Sequence, residues 1–222
     1  MASLLVFAFC VLVYNRRNAP YVMFGGVSVR LLIYCFFYIF IAPCVASADV
    51  DVTLAHKWLV ENENLTGRFV ERYESGEVQR GVFYISRPGR IRLEYDIPKD
   101  VVIVCDGRTL AVFDPKNNEG PTFSDYESSP FQPLLSGPLG IAGNDAISGA
   151  SRRDRETYIF ARPSGAYRGK VALVFNNQPV FLKGWILTGS GSGRVSVEIN
   201  STTRMDKIPN SLFRISSPYQ KR

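Results

Sequence analysis

The sequence predicts a mainly β (α+β) fold: a curved antiparallel sheet forming an open half-barrel, closed by a lid of short helices. Three observations lead there. About nine or ten short apolar runs are separated by tight-turn signals, the mark of an all-antiparallel sheet. One run alternates strictly, with Arg90, Arg92 and Glu94 on one face and Ile91, Leu93 and Tyr95 on the other, so one face is wet and the other apolar. The order of segments is helix, five strands, a Pro- and Gly-rich cover, four strands and a tail, which favours helices gathered on one face of the sheet.

Residues 1–48 read as a leader. The short apolar run 31–41 follows Arg30 and precedes Ala46-Ser47-Ala48, small residues suited to signal-peptide cleavage after Ala48. The run is too short for a comfortable membrane span. Met23 heads a conventional leader by itself and is an alternative start. A lipoprotein signal at Cys44 fits poorly, because Pro43 stands before it. Residues 49–222 then form a single domain, large enough to bury roughly 70% of its unfolded surface. Arg16, Arg17 and Arg30 lie in the leader with no acid, so half of the net charge of +6 leaves with it. The mild positive balance that remains permits contact with anionic lipid and does not argue for nucleic acid. Cys10, Cys35 and Cys44 also lie in the leader. Cys105 is left alone, so an exported chain carries no internal disulfide. Its apolar strand makes it a small buried residue.

Residues 51–62 suit a helix, with Asp51 or Thr53 as cap and Leu54, Ala55, Trp58 and Leu59 on one stripe. Strands are expected at 67–73, 77–87, 90–95, 101–105 and 109–114, with Ser75-Gly76, Arg87-Pro88-Gly89 and Asp106-Gly107 as breaks. The lid segment, about 116–150, is rich in Pro and Gly and offers no strand of useful length. Within it, Ser129-Pro130 caps and opens a short helix. Its Phe123, Tyr126, Phe131, Leu134 and Leu135 argue against disorder. Strands resume at 155–162, 170–176, 180–188 and 194–200, punctuated by Gln178-Pro179 and by Gly189-Ser-Gly-Ser-Gly193.

Catalytic chemistry has few candidates. His56 is the sole histidine, and with a single cysteine outside the leader the usual zinc sets cannot be assembled. Gly191 occupies the place a nucleophile elbow needs for Ser, and the same stretch fails the dinucleotide and phosphate-loop patterns. Glu61/Glu63 and Glu71/Glu74 fall near polar surface positions rather than forming an acid–base pair. Arg80, Arg87, Arg90 and Arg92 interleave with Phe83, Tyr84 and Tyr95. Alternation explains these as a solvated strand face better than as a nucleic-acid platform. No enzyme, no cofactor and no metal is expected. The large apolar side chains Phe69, Phe83, Phe113, Phe131, Phe175, Phe181, Trp185 and Phe213 are spread over many strands. The residues alone leave open whether they form an ordinary core or line a cavity.

The Arg87-Pro88-Gly89 strand end, the alternating strand 90–95, the Asp106-Gly107 turn and the closing Asp114-Pro115 resemble the LolA family of outer-membrane lipoprotein carriers. Ser129-Pro130-Phe131 with Leu135, and the ending Asn210-Ser-Leu-Phe-Arg-Ile215, extend the resemblance over roughly 53–215. It implies a periplasmic, monomeric carrier without catalytic residues. Such a carrier takes triacylated lipoproteins from an inner-membrane ABC transporter, shields their acyl chains and delivers them to an outer-membrane acceptor. It implies that Arg87 latches the lid by hydrogen bonds to backbone carbonyls of the cover; alternation would place Phe83, Ile85 and Arg87 on one face. It also implies an acyl-chain cavity lined by Phe69, Phe83 and Ile85, by Ile91, Leu93, Tyr95 and Phe113, and by Phe131, Leu134, Leu135 and Trp185. Ile91 and Leu93 stand where family members often carry aromatics, and Asn177-Gln178-Pro179 replaces a frequent Gly-Leu-Pro turn. Alternatives on the same half-barrel are a carrier of free phospholipid or glycolipid and an envelope-stress sensor of the RseB type.

Overall fold

A computed structural model describes residues 48–98, 100–117, 120–136, 147–189 and 193–216. Residues 1–47 of the expected leader therefore lie outside the described residues, as does 137–146 of the expected lid, while the expected cleavage point after Ala48 falls at the first residue described. Helix α1 (Ala48–Glu61) is followed by strands β1 (Asn64–Tyr73), β2 (Val78–Ser86), β3 (Arg90–Ile97), β4 (Val102–Asp106), β5 (Thr109–Phe113) and β6 (Thr122–Asp125). A 3-10 turn (Tyr126–Ser128) and the one-turn helix α2 (Gln132–Leu135) come next. Strands β7 (Ile147–Arg153), β8 (Glu156–Ala161), β9 (Lys170–Asn177), β10 (Val180–Thr188) and β11 (Arg194–Arg204) follow, and a 3-10 turn (Asn210–Phe213) closes the described chain.

All eleven strands form one open, curved antiparallel sheet in the order β6-β5-β4-β3-β2-β1-β11-β10-β9-β8-β7. Two meanders thus meet at a central seam, where β1 pairs with β11 from Leu65↔Arg204 to Tyr73↔Val195. Bulges at Arg68/Phe69 on β1 and Leu182/Gly184 on β10 interrupt the ladders beside that seam. A bulge adds local twist. Two glycines let the backbones close up there: a Cβ at Gly67 would lie 1.9 Å from the Ser201 carbonyl oxygen, and one at Gly184 1.9 Å from that of Val197.

The alternation expected for β3 is present, with Ile91, Leu93 and Tyr95 buried. Together with the matching parity of β1, β2 and β8–β11 they build one apolar cluster on the inner face, to which α1 contributes Ala55 and Leu59. Helix α1 packs on β7, β8 and β10. It begins at Ala48, ahead of both expected caps, and Leu54, expected on its apolar stripe, is exposed.

Three further expectations need correction. The lid segment does hold strands: β6 and the start of β7 form the two sheet edges. Neither has an alternating apolar pattern, and each is held by its ladder to one neighbour. Ser129-Pro130 does not open α2, which starts at Gln132 with Phe131 at its cap. The Ser129 amide instead donates to the Tyr126 carbonyl and closes the preceding turn. The arginine face of β3 is half-buried rather than solvated. The Asn210–Phe213 turn lies against it, with Arg90 donating to Asn210 Oδ1 at 2.7 Å and stacked 5.2 Å over the Phe213 ring. Arg92 reaches the Leu212 carbonyl.

Candidate functional site

Ten of the eleven side chains expected to line a cavity share the inner-face cluster: Phe69, Phe83, Ile85, Ile91, Leu93, Tyr95, Phe131, Leu134, Leu135 and Trp185. Phe113 is the exception. It belongs to a separate outer-face cluster with Val102, Val104 and Ala111, against which Ile215 packs. Register decides this: Val102 pairs with Phe113 and Val104 with Ala111, whereas Cys105 pairs with Leu110. Successive residues alternate faces, so Cys105 and Leu110 point inward and Phe113 outward. Cys105 is fully buried, and burial pushes its thiol up to about 11.

Residues 126–136 lie over the inner face as a cover. Phe131 meets Trp185 edge-on, with ring centroids 6.3 Å apart. Arg87, only 4% exposed, stands at the end of β2 between the cover and the end of α1. Its Nε donates to the Leu134 carbonyl at 2.9 Å and its Nη1 to the Asn62 carbonyl at 2.7 Å. The adjoining backbone repeats the pattern: Arg87 N–H donates to the Glu63 carbonyl and Gly89 N–H to that of Leu135. Nη2 has no partner among the described residues. Burial lowers the guanidinium to about 10, opposed by Glu63 and Tyr126. It stays charged at neutral pH, a buried cation held by carbonyl dipoles with no carboxylate ion pair among the described residues. Such a group costs much of what its hydrogen bonds return.

A second polar feature went unread in the sequence. Glu71, expected at the surface, is buried on the inner face. It shares the parity of Phe69 on β1, and Phe69 and Tyr95 are in edge-on contact at 5.1 Å. Tyr95 Oη donates to Glu71 Oε2 at 2.7 Å. Burial raises the Glu71 carboxyl, only partly offset by hydrogen bonds from Tyr95 and Tyr73, while Glu77 raises it further. The signal available was the inward parity of Phe69-Val-Glu71.

The far half of the inner face was also under-read. Trp58 on α1 meets Phe175 on β9 at 5.9 Å, edge-on. Ile159, Leu173 and Leu182 join the cluster there. Phe181, another of the large apolar side chains, is exposed instead. His56 is half-buried on α1, and its Nδ1 has no partner among the described residues. Among the described residues no three His, Cys, Asp or Glu side chains converge as a metal site. What the arrangement offers is an apolar interior under a cover fastened by polar contacts.

Comparisons with known proteins bear on the same region. A family model described as outer membrane lipoprotein carrier protein LolA matches residues 61–216. Among solved structures, a LolA superfamily protein from Nitrosomonas europaea is similar with a TM-score of 0.43 and 12% identity, over 76% of this chain and 98% of that one. An uncharacterized conserved protein from Thermus thermophilus is similar with a TM-score of 0.45 and 11% identity, over 77% of this chain and 95% of that one. MucB in its complex with MucA from Pseudomonas aeruginosa gives 0.39 and 13%, over 75% of this chain and 60% of the other. No curated protein sequence matches the chain.

Proposed function

The chain belongs to the LolA family, outer membrane lipoprotein carrier proteins, and from that premise we propose that it is a periplasmic carrier of triacylated lipoproteins. It receives them from an inner-membrane ABC transporter and passes them to an outer-membrane acceptor. The observation that carries this reading is Arg87. A buried cation whose side-chain hydrogen bonds, among the described residues, go to the Leu134 and Asn62 carbonyls fastens a short cover over an apolar interior. That is a poor way to stabilise a core and a good way to close one reversibly. In this reading Arg87 is the latch, and the ten clustered side chains form the wall against which acyl chains pack once the cover lifts.

Energetics explain why no catalytic group is required. Burying one methylene is worth ~0.8 kcal/mol. Three acyl chains of about 15 methylenes each therefore expose roughly 35 kcal/mol of hydrocarbon to water. A carrier must offset much of this yet let the cargo go. An interior already filled by its own side chains serves that end, because closing the empty carrier returns apolar contacts as the cargo departs.

The test is to express the chain with its leader, recover it from the periplasm without detergent, and identify bound lipid by mass spectrometry. Triacylated lipoproteins are expected, enriched in Arg87→Leu, where the cover no longer closes to displace cargo. Free phospholipid or glycolipid alone would move the function to a lipid carrier. Wild-type release rates in Arg87→Leu would remove the latch role.

A further inference from the structure

The cover is fastened at two places, and they differ in kind. At Leu134 and Leu135 its hydrogen bonds to the sheet, among the described residues, come from one side, from Arg87 Nε and the Gly89 amide. At Tyr126–Ser128 it is held from both sheet halves. Tyr126 N–H donates to the Arg108 carbonyl in the β4–β5 turn at 2.8 Å. From the opposite half, the β8–β9 loop supplies three consecutive contacts. Ser164 Oγ donates to Glu127 Oε2 at 2.7 Å, Gly165 N–H to the Glu127 carbonyl at 2.9 Å, and Ala166 N–H to Ser128 Oγ at 3.0 Å.

We propose that the Ser164–Ala166 loop, seated on Glu127 and Ser128, is the hinge about which the cover turns when Arg87 releases it. The inference rests on the carrier reading, in that it takes opening of the cover to be functional. Gly165 is the pivot. A Cβ there would stand 2.3 Å from Ser128 Oγ and 2.8 Å from Ser128 N, so only a residue without a side chain lets the two backbones meet. The hinge contacts join neutral backbone and hydroxyl groups near the surface, apart from the one to Glu127, and need no buried charge. The latch contact needs one. Local opening follows the weaker fastening, so the cover parts at Arg87 first. Rotation about 127–128 then carries Phe131 off Trp185 and uncovers the apolar interior, while the cover stays attached.

Residue-resolved amide hydrogen exchange on the chain recovered from the periplasm and stripped of bound lipid before measurement tests this without cargo. In Arg87→Leu, the Gly89 amide is expected to exchange at least about tenfold faster, with Tyr126 and Gly165 changing less than about threefold. Acceleration of all three in step would mean that the cover leaves as a unit and would overturn the hinge. So would protection at Gly89 equal to wild type. The converse variant is Gly165→Ala, which pushes the loop off Ser128. Ser128→Ala, which removes only the hydroxyl that accepts from Ala166, covers the case in which Gly165→Ala does not fold. In it Ala166 exchanges about tenfold faster and Gly89 within about threefold of wild type. A matching rise at Gly89 overturns the assignment. Because no lipid enters the measurement, the hinge can fail with the carrier reading intact, and lipoproteins can be absent with the exchange pattern intact.

Discussion

The two halves of the inner face are closed by different physics. Over β7–β10 the covering element is α1, a fourteen-residue helix that buries Ala55 and Leu59 and sets Trp58 against Phe175. Beside β2 it is the short cover, which adds Phe131, Leu134 and Leu135 to the apolar cluster and whose polar tie there is a guanidinium, a glycine amide and two leucine carbonyls. Packing of the first kind is lost only when the structure comes apart, whereas hydrogen bonds to a desolvated charge sit near balance. Under the proposed carrier reading, the difference separates the half expected to stay closed from the half expected to open. Arg87 is buried beside the cover, whereas Glu71 is buried on the central strand β1 between the two halves.

The largest effect expected is on the packed half. Phe175→Ala should cost about 3–5 kcal/mol of unfolding free energy, read from urea midpoints, because a fully buried ring is removed from beneath α1. A loss below about 1 kcal/mol would mean that α1 is not held by that contact, and the contrast between the halves would fall.

Glu71 sharpens the comparison through pH. Burial raises its carboxyl above the ordinary 4.5. The native state therefore binds the proton more tightly than the unfolded chain does. The stabilising contribution is complete below the unfolded value and is lost as pH rises through the raised native one. Glu71→Gln, which keeps an acceptor for the Tyr95 hydroxyl, should flatten this decline and gain on wild type towards neutral pH. Urea midpoints measured from pH 4 upward check it, and parallel wild-type and variant curves would show Glu71 to be ionised at no cost.

On the outer face, Arg90→Ala should cost about 0.5–1 kcal/mol for the loss of its stacking on Phe213. Increased proteolytic cutting near Asn210 would accompany it. The smallest effect on global stability is expected from Arg87→Leu. The carbonyls of Leu134 and Asn62 lose their donor, but a buried charge disappears, so the two costs offset to within about 1 kcal/mol. A latch variant with near-normal stability and altered release separates function from folding.

Legibility in the sequence followed how strongly side chains, rather than ladders, hold each element. Strand β3 announces its faces because every second residue is apolar. Strand β6 has four exposed residues, and β7 is Ile-Ser-Gly-Ala-Ser-Arg-Arg; both exist because a neighbour offers hydrogen bonds, which leaves no period to read. Phe113 was misplaced for the opposite reason. Leu110-Ala-Val-Phe113 is apolar on both faces, so only its register against Val102 reveals which way the ring points. Alternation grouped Arg87 with a solvated face, and only the family resemblance singled it out; the Gly165 contact depends on two loops that meet from far apart in the chain, which no local pattern records.

The seam between β1 and β11 has a consequence for how this sheet comes into being. Leu65 pairs with Arg204, so the centre of the sheet joins the first of the described strands to the last. Until β11 is present, β1 and β10 are two raw edges, each with a row of unpaired backbone groups open to any other strand. Pairing over such a separation is slow. The domain cannot assemble progressively from its N-terminus, and the whole chain up to Arg204 must be on one side of a membrane before the sheet can be completed there. Loss of the final strand would therefore divide the molecule along its middle instead of trimming its end.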